Sequence, residues 1–322
     1  MTRSRHGVLL FVASLCVAML IAGTYGTADA LGSVGLRRVA DADALFLRPA
    51  TNDDRMVYVR SSGGTHVVWI KDLSTGRARA LSDGVSNAFA PDIYGDLVVW
   101  EEHRDRTVVI ALYDLTDGDT QIISPGPDDR APTIWGDTVA WTQEGVFRAR
   151  LMSRDLSTGQ TRTVAVVEPG TTCGLYESTL AHDDGGDIHL LELESGVTRV
   201  LVGGPARSEK PDICGDTAVF TEWGGGLADV RAVDLNTGVV RTIISGYQCV
   251  YAPSICEQFI AYETYHTWRR PSIEVVRVGD ELRVEAPTAW YDGVLGTLAS
   301  RVDNVVLYAA SLQAAALTLL IG

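Results

Sequence analysis

Lysine is almost missing from this chain. Lys71 and Lys210 are the only two among 27 basic residues, which face 41 acidic ones for a formal net charge of −14 over 322 residues. A surface of that sign repels phosphate backbones, and no basic stripe offsets it, so nucleic acid is excluded as a partner class. Catalytic signatures are missing too. There is no Gly-x-Ser-x-Gly elbow, no HExxH and no Gly-rich phosphate loop, and nothing pairs a nucleophile with a base. Neither CxxC nor Cys/His spacing suggests a zinc site. Helical periodicity is scarce, and long apolar runs are confined to the two ends.

The first of those runs reads as a targeting segment. Arg3 and Arg5 form a basic start, Val8 to Ala22 carries no charge, and Ala28-Asp29-Ala30 is a small-x-small cleavage pattern. Residues 1–30 are therefore expected to be a signal peptide removed before Leu31, leaving 31–322 as one domain that is secreted, periplasmic or on the cell surface. Bulky Leu15 before Cys16 argues against a lipoprotein; an uncleaved N-terminal anchor is the alternative. Cleavage removes two arginines and one aspartate, so 25 basic and 40 acidic residues remain, a net charge of −15. The other run, Val305 to Gly322, is interrupted by Ser311 and Gln313 and reads as strand–turn–strand, so no membrane span is expected after cleavage.

Four cysteines then remain: Cys173, Cys214, Cys249 and Cys256. An even count in an exported protein favours two disulfides, with three connectivities open. Cys249–Cys256 with Cys173–Cys214 is the preferred pairing.

What is present in abundance is repetition. Pro91-Asp-Ile-Tyr-Gly-Asp96-Leu-Val-Val-Trp100 returns as Pro132-Thr-Ile-Trp-Gly-Asp137-Thr-Val-Ala-Trp141 and as Pro211-Asp-Ile-Cys-Gly-Asp216-Thr-Ala-Val-Phe220. Weaker copies begin at Pro49, Cys173, Pro253 and Pro287, giving spacings of 42, 41, 41, 38, 42 and 34 residues. A period near 40 marks stacked supersecondary units. Within one unit, Asp92 to Tyr94, Leu97 to Glu101, Thr107 to Leu115 and Thr120 to Ser124 read as four short strands. A second signature, Asp72-Leu-Ser-Thr-Gly76, recurs at Asp114, Asp155 and Asp234, and as Glu192-Leu-Glu-Ser-Gly196. Its carboxylates accept bonds from turn amides and its glycines take positive φ, a complete structural role.

Four antiparallel strands per unit define an all-β chain, a β-propeller, and seven registers predict seven blades, with six as the alternative. Tyr58, Trp100, Trp141, Phe220 and Tyr262 share one repeat position and should pack between blades, with His182 at that position in the fourth. Leu36 to Leu47 is available as a closing strand against the last blade. The terminal unit would add strands at Asn304 to Ala310 and Ala315 to Ile321.

These units resemble the TolB-type propeller repeats of exported bacterial and archaeal surface proteins, over about residues 49–290. The resemblance implies scaffolding, surface attachment or protein binding, with a minority of related propellers being enzymes. TolB itself carries an additional N-terminal domain, for which residues 31–322 leave no room, so a Tol–Pal role is not expected.

Function must come from the loops joining strands two and three, which form one face. They collect Glu101, Glu102, His103, His182, Asp183, Asp184, Asp187, Glu222, Trp223, Glu263, Tyr265, His266, Trp268, Arg269 and Arg270. Trp223, Tyr265, His266, Trp268, Arg269, Glu102 and His103 are the candidate ligand-binding set, because exposed aromatics and arginine serve as anchors for a protein, and indoles stack on sugars. His182 or His266 as base, assisted by Glu222 or Arg269, is the candidate catalytic set of a polysaccharide lyase or hydrolase. Asp183, Asp184 and Asp187 offer oxygen ligands that suit Ca²⁺, although an acidic turn explains them equally; no other cofactor is implied. The expectation is a monomeric binding propeller engaging a protein or glycan through this face, with the enzyme as the alternative.

Overall fold

The computed structural model describes residues 37–41 and 48–277, apart from positions 125, 226, 248, 257–258 and 267–268. Among the described residues twenty-four strands form six sheets of four antiparallel strands each. Five sheets follow chain order from an innermost strand outward: blade one spans residues 50–80, two 87–122, three 129–167, four 173–202 and five 207–247. The sixth contains Cys249–Cys256, Phe259–His266 and Arg269–Arg277, and takes Arg37–Asp41 as its outer strand. Arg37 pairs with Val275 and Asp41 with Ser272. The segment expected to close the ring does so.

Closure comes at six blades rather than seven, and the packing shows why. Met56 and Tyr58 of blade one bury against Ala261, Ile273 and Val275 of blade six. Blade one's open face is thus already covered, and its neighbour's outer edge is already paired, leaving no seat between them. The unit expected at Pro287, with its strands at 304–310 and 315–321, lies outside the described residues, as do residues 1–30, read above as a signal peptide.

Each interface repeats one scheme. Trp100 packs with Val57, Val59 and Val68 of the preceding blade, Trp141 with Val99, Ile110 and Leu112, and Phe220 with Ala181, Ile188 and Leu190. The predicted interblade aromatic position is buried in every blade, His182 included. Burying such side chains is the dominant favourable contribution where, among the described residues, all regular elements are short strands.

The turns after the third strand keep their expected role. Asp72 Oδ1 accepts bonds from Ser74 N (2.9 Å), Ser74 Oγ (2.6 Å) and Thr75 N (2.8 Å), while Gly76 takes φ 74°. Asp114, Asp155 and Asp234 accept equivalent bonds.

The preferred disulfides do not form. Cys249 and Cys256 lie at opposite ends of one extended strand, about 20 Å apart at the rise of a strand, against the roughly 7 Å Cα limit of a disulfide. Cys173, Cys214 and Cys256 are thiols. Cys173 begins its strand and Cys214 ends the inner strand of the next blade, so they sit at opposite levels of the channel.

Candidate functional site

The face predicted to be loop-rich is made largely of tight hairpins. The second strands run on to Arg104, Asp184, Gly224 and His266, so Glu102, His103, His182, Asp183, Asp184, Glu222, Trp223, Tyr265 and His266 are strand residues; Asp187 and Arg269 start the strands that follow. Continued alternation carries each second strand two to four residues past its interblade position.

This placement gives most candidates separate partners. Glu102 pairs with Arg104 at 2.7 Å, and Glu222 accepts Arg231 Nε and Nη2 at 2.9 and 2.6 Å. Trp223 Nε1 donates to Glu209 at 2.7 Å. His182 is 3% exposed, stacks on His189 at 5.3 Å and finds no hydrogen-bond partner for either ring nitrogen. Burial, and then the neighbouring His189, push its pKa down to about 4, so the ring is neutral at pH 7. Asp183 accepts from the amide and hydroxyl of Thr172, Asp184 from Glu168 N, and Asp187 from Gly204 N. Among the described residues no group of three or more His, Cys, Asp or Glu side chains is arranged to hold a metal ion. The side chains of Tyr265, His266 and Arg269, and the whole of Trp268, lie outside the described residues.

The sequence reading overlooked the polar lining of the axis. Arg48, Ala90, Ala131, Lys210 and Ala252 each precede a proline and each has positive φ, between 45° and 57°. Four of these positions are bulges in the pairing of strands one and two. A bulge re-aims the backbone, and here it turns amides toward carboxylates of the preceding blade. Ala131 N donates to Glu101 Oε1 at 2.7 Å, and Arg48 N donates to Glu263 Oε1.

One level below, Asp92 accepts from Ile93 N (2.9 Å), Thr133 Oγ1 (2.8 Å) and Ile134 N (2.9 Å), and Asp212 from Ile213 N (2.9 Å) and Ile255 N (2.8 Å). The two aspartates latch blade two to three and blade five to six. Burial and the charge of Asp212 push Asp92 up to about 7, and burial also raises Asp212. Lys210 falls to about 8 through burial and the nearby Arg48. Arg48, Lys210, Asp92 and Asp212 line an axial cavity of only about 40 Å³, room for a few waters and not for a sugar ring or peptide. The sequence signal was there in Asp92 and Asp212 of the repeat phrase, but a turn-forming aspartate reads the same way.

Glu101 makes the one pairing with a catalytic look. Its Oε2 lies 3.2 Å from His103 Nε2. Burial raises its pKa, yet bonds from His103 and the Ala131 amide and the nearby Arg48 cation outweigh that, leaving it below the usual range. The ionised carboxylate holds His103 with its Nδ1 turned away, and the ring edge packs on Phe89 at 4.7 Å.

A wider groove of about 380 Å³ lies between blades four and five on the same face. Glu168, Asp183, Asp184, Arg207 and Glu209 contribute its charges and Gly185, Gly186 and Pro205 part of its wall. Arg207 pairs with Glu209 at 2.9 Å while staying 72% exposed.

Fold and site together define a six-bladed propeller with a narrow axial cavity and a wider acidic groove on the hairpin face. The chain is similar in fold to TolB from Acinetobacter baumannii (TM-score 0.60, 16% identity, 71% of this chain), of whose length it spans 64%. A putative TolB from Agrobacterium tumefaciens (TM-score 0.57, 12% identity) matches over 76% of this chain and 94% of its own. An oligogalacturonate lyase from Vibrio parahaemolyticus matches at TM-score 0.51 and 10% identity, over 77% and 94%. At such identities the likeness is one of fold. No family model and no curated protein matches the sequence, and no helix among the described residues is long and apolar enough to cross a membrane.

Proposed function

We propose that this chain is an exported binding propeller that holds a protein or glycan ligand on its hairpin face, as a scaffold rather than a catalyst. The observation that supports this reading most is the contrast in room. The axis takes about 40 Å³, whereas the groove beside Glu168 and Asp184 opens about 380 Å³ to solvent. Binding sites are concave and use a few placed polar groups, and the groove meets that description. Export follows from the N-terminal pattern of Arg3, Arg5 and Ala28-Asp29-Ala30.

The Glu101–His103 pair favours a second reading, a lyase or hydrolase acting on acidic polysaccharide with His103 as the proton acceptor. One assay separates the two. The chain is incubated with polygalacturonate and other polysaccharides, and both retention and product release are measured. Retention of a neutral polysaccharide without turnover, weakened in Asp184→Asn, supports binding, with polygalacturonate serving as the substrate of the catalytic arm. Product release by the wild type that disappears in His103→Ala would replace binding with catalysis.

A further inference from the structure

Blade three breaks the rule that the other hairpins on this face obey. The connection between the second and third strands is two residues in blades one, two, four, five and six: 63–64, 105–106, 185–186, 225–226 and 267–268. In blade three it is the five residues 144–148, between Thr138–Gln143 and Ala149–Asp155. The additional length carries Val146 and Phe147 into solvent, 87% and 88% exposed. Two adjacent apolar side chains at a loop tip are not needed by the fold, since neither joins a core cluster among the described residues. Val166, 61% exposed, lies near the same end of the blade's outer strand.

The tip is tied to the acidic groove. Glu144 Oε1, at the base of the loop, accepts Gly170 N at 2.9 Å, and Gly170 lines the groove beside Glu168. The groove sets four carboxylates, Glu168, Asp183, Asp184 and Glu209, against the single guanidinium of Arg207. An apolar knob therefore stands next to an acidic hollow. A cationic side chain gains electrostatic steering there, and the aromatic tip supplies the kind of anchor that dominates interface energetics.

We propose that Val146 and Phe147, with the groove behind Glu144 and Glu168, form a docking surface for a cationic, amphipathic protein segment, whose lysines or arginines enter the groove while its apolar side chains cover the tip. This rests on the binding reading and names the partner's chemistry. Charge selects the occupant: a net −14 chain with an acidic groove repels an anionic membrane, an anionic glycan and a second copy of itself.

The test uses the full chain and a fluorescein-labelled Lys/Leu amphipathic peptide, with its Glu/Leu counterpart as control, read by anisotropy. The Lys/Leu peptide is expected to bind, to weaken about tenfold in the Val146→Ser, Phe147→Ser double variant, and to weaken between about 50 mM and 0.5 M salt. Glu168→Lys should weaken it several-fold with no change in melting temperature, because the side chain is exposed. No binding, or equal binding by the double variant, overturns the proposal. So does Phe147-dependent association with phosphatidylglycerol vesicles, or Phe147-dependent dimerisation in sedimentation, because each assigns the tip another occupant. A glycan retained by a chain that ignores the peptide would remove this inference and leave the binding reading in place; polysaccharide turnover would remove the binding reading itself.

Discussion

The two faces of the ring grow from one repeat and obey different rules. On the turn face, Asp72, Asp114, Asp155 and Asp234 each accept bonds from the residues that follow, in near-identical geometry. On the hairpin face, the residue after the interblade aromatic differs around the ring: Val59, Glu101, Thr142, Asp183, Thr221 and Glu263. Glu101 reaches the Ala131 amide, Thr142 the Thr171 carbonyl and Asp183 the Thr172 amide, while the hydroxyl of Thr221 is buried with no partner. A turn closes on itself, so one solution serves all blades. The hairpin face must join each blade to its neighbour and still present a surface, so the solution varies, with Glu101 and Glu263 sharing one in which the pre-proline amide of the next blade donates to the carboxylate.

Substitutions sharpen that contrast, beginning with the largest effect. Glu101→Ala should destabilise the fold by about 2–3 kcal/mol in urea denaturation, because it strands the buried Ala131 amide and releases His103. A loss no larger than that of a surface substitution would mean the hairpin-face carboxylates do not bind the blades together.

His182→Phe should act in the opposite direction. The five other blades carry Tyr, Trp or Phe at this position without a buried imidazole, and removing two unsatisfied nitrogens should stabilise by about 1–2 kcal/mol. It should also change the pH profile. The folded pKa of about 4 lies below the ordinary value of 6.5, so the folded state resists protonation. The stability is full above about pH 6.5 and drains as pH falls toward 4. Thermal melts across that window should show a slope in the wild type that is reduced in the variant.

On the turn face the effect of any single change is the smallest. Asp72 is held down to about 2 by the Ser74 hydroxyl and then the Thr75 amide. A depressed carboxylate stabilises above its unfolded pKa near 4, and that contribution is lost as pH falls through about 2. Asp72→Asn should lower the melting point less than Glu101→Ala and flatten the acid limb of the melts below pH 4. The Val146→Ser, Phe147→Ser variant should leave urea stability within about 0.5 kcal/mol of wild type, which separates surface function from fold on this face.

How much of this could be read from the chain follows the same division. The turn face was legible because Asp-Leu-x-Thr-Gly is a local motif, its bonds closing within three residues. Blade boundaries and the buried aromatic position were legible because alternation and a period near 40 depend on nearest neighbours. Blade number was not, since the copy at Pro287 matches the phrase as well as the weaker internal ones do, and only the packing of Tyr58 on Ile273 and Val275 decides where the ring shuts. The disulfide preference failed because a separation of seven residues along the chain does not show that Cys249 and Cys256 share one extended strand. Arg48 and Lys210 escaped notice because a residue before proline usually reads as extended, whereas here both take positive φ. Val146 and Phe147 read as the start of a strand, and only counting residues between paired strands shows that they stand outside it.

The seam of the ring carries a consequence for how the chain becomes a protein. Arg38 finds its partner in Glu274, so the first of the described strands must wait for the sixth blade. Until then blade one keeps an uncovered apolar flank and blade six an unpaired rim, and each half-finished ring is an invitation to another chain. Long-range pairing of this kind makes folding slow and all-or-none. A truncated product ending before Arg269 would leave Arg37–Asp41 with no strand to pair with, so the ring can close only after blade six has been made.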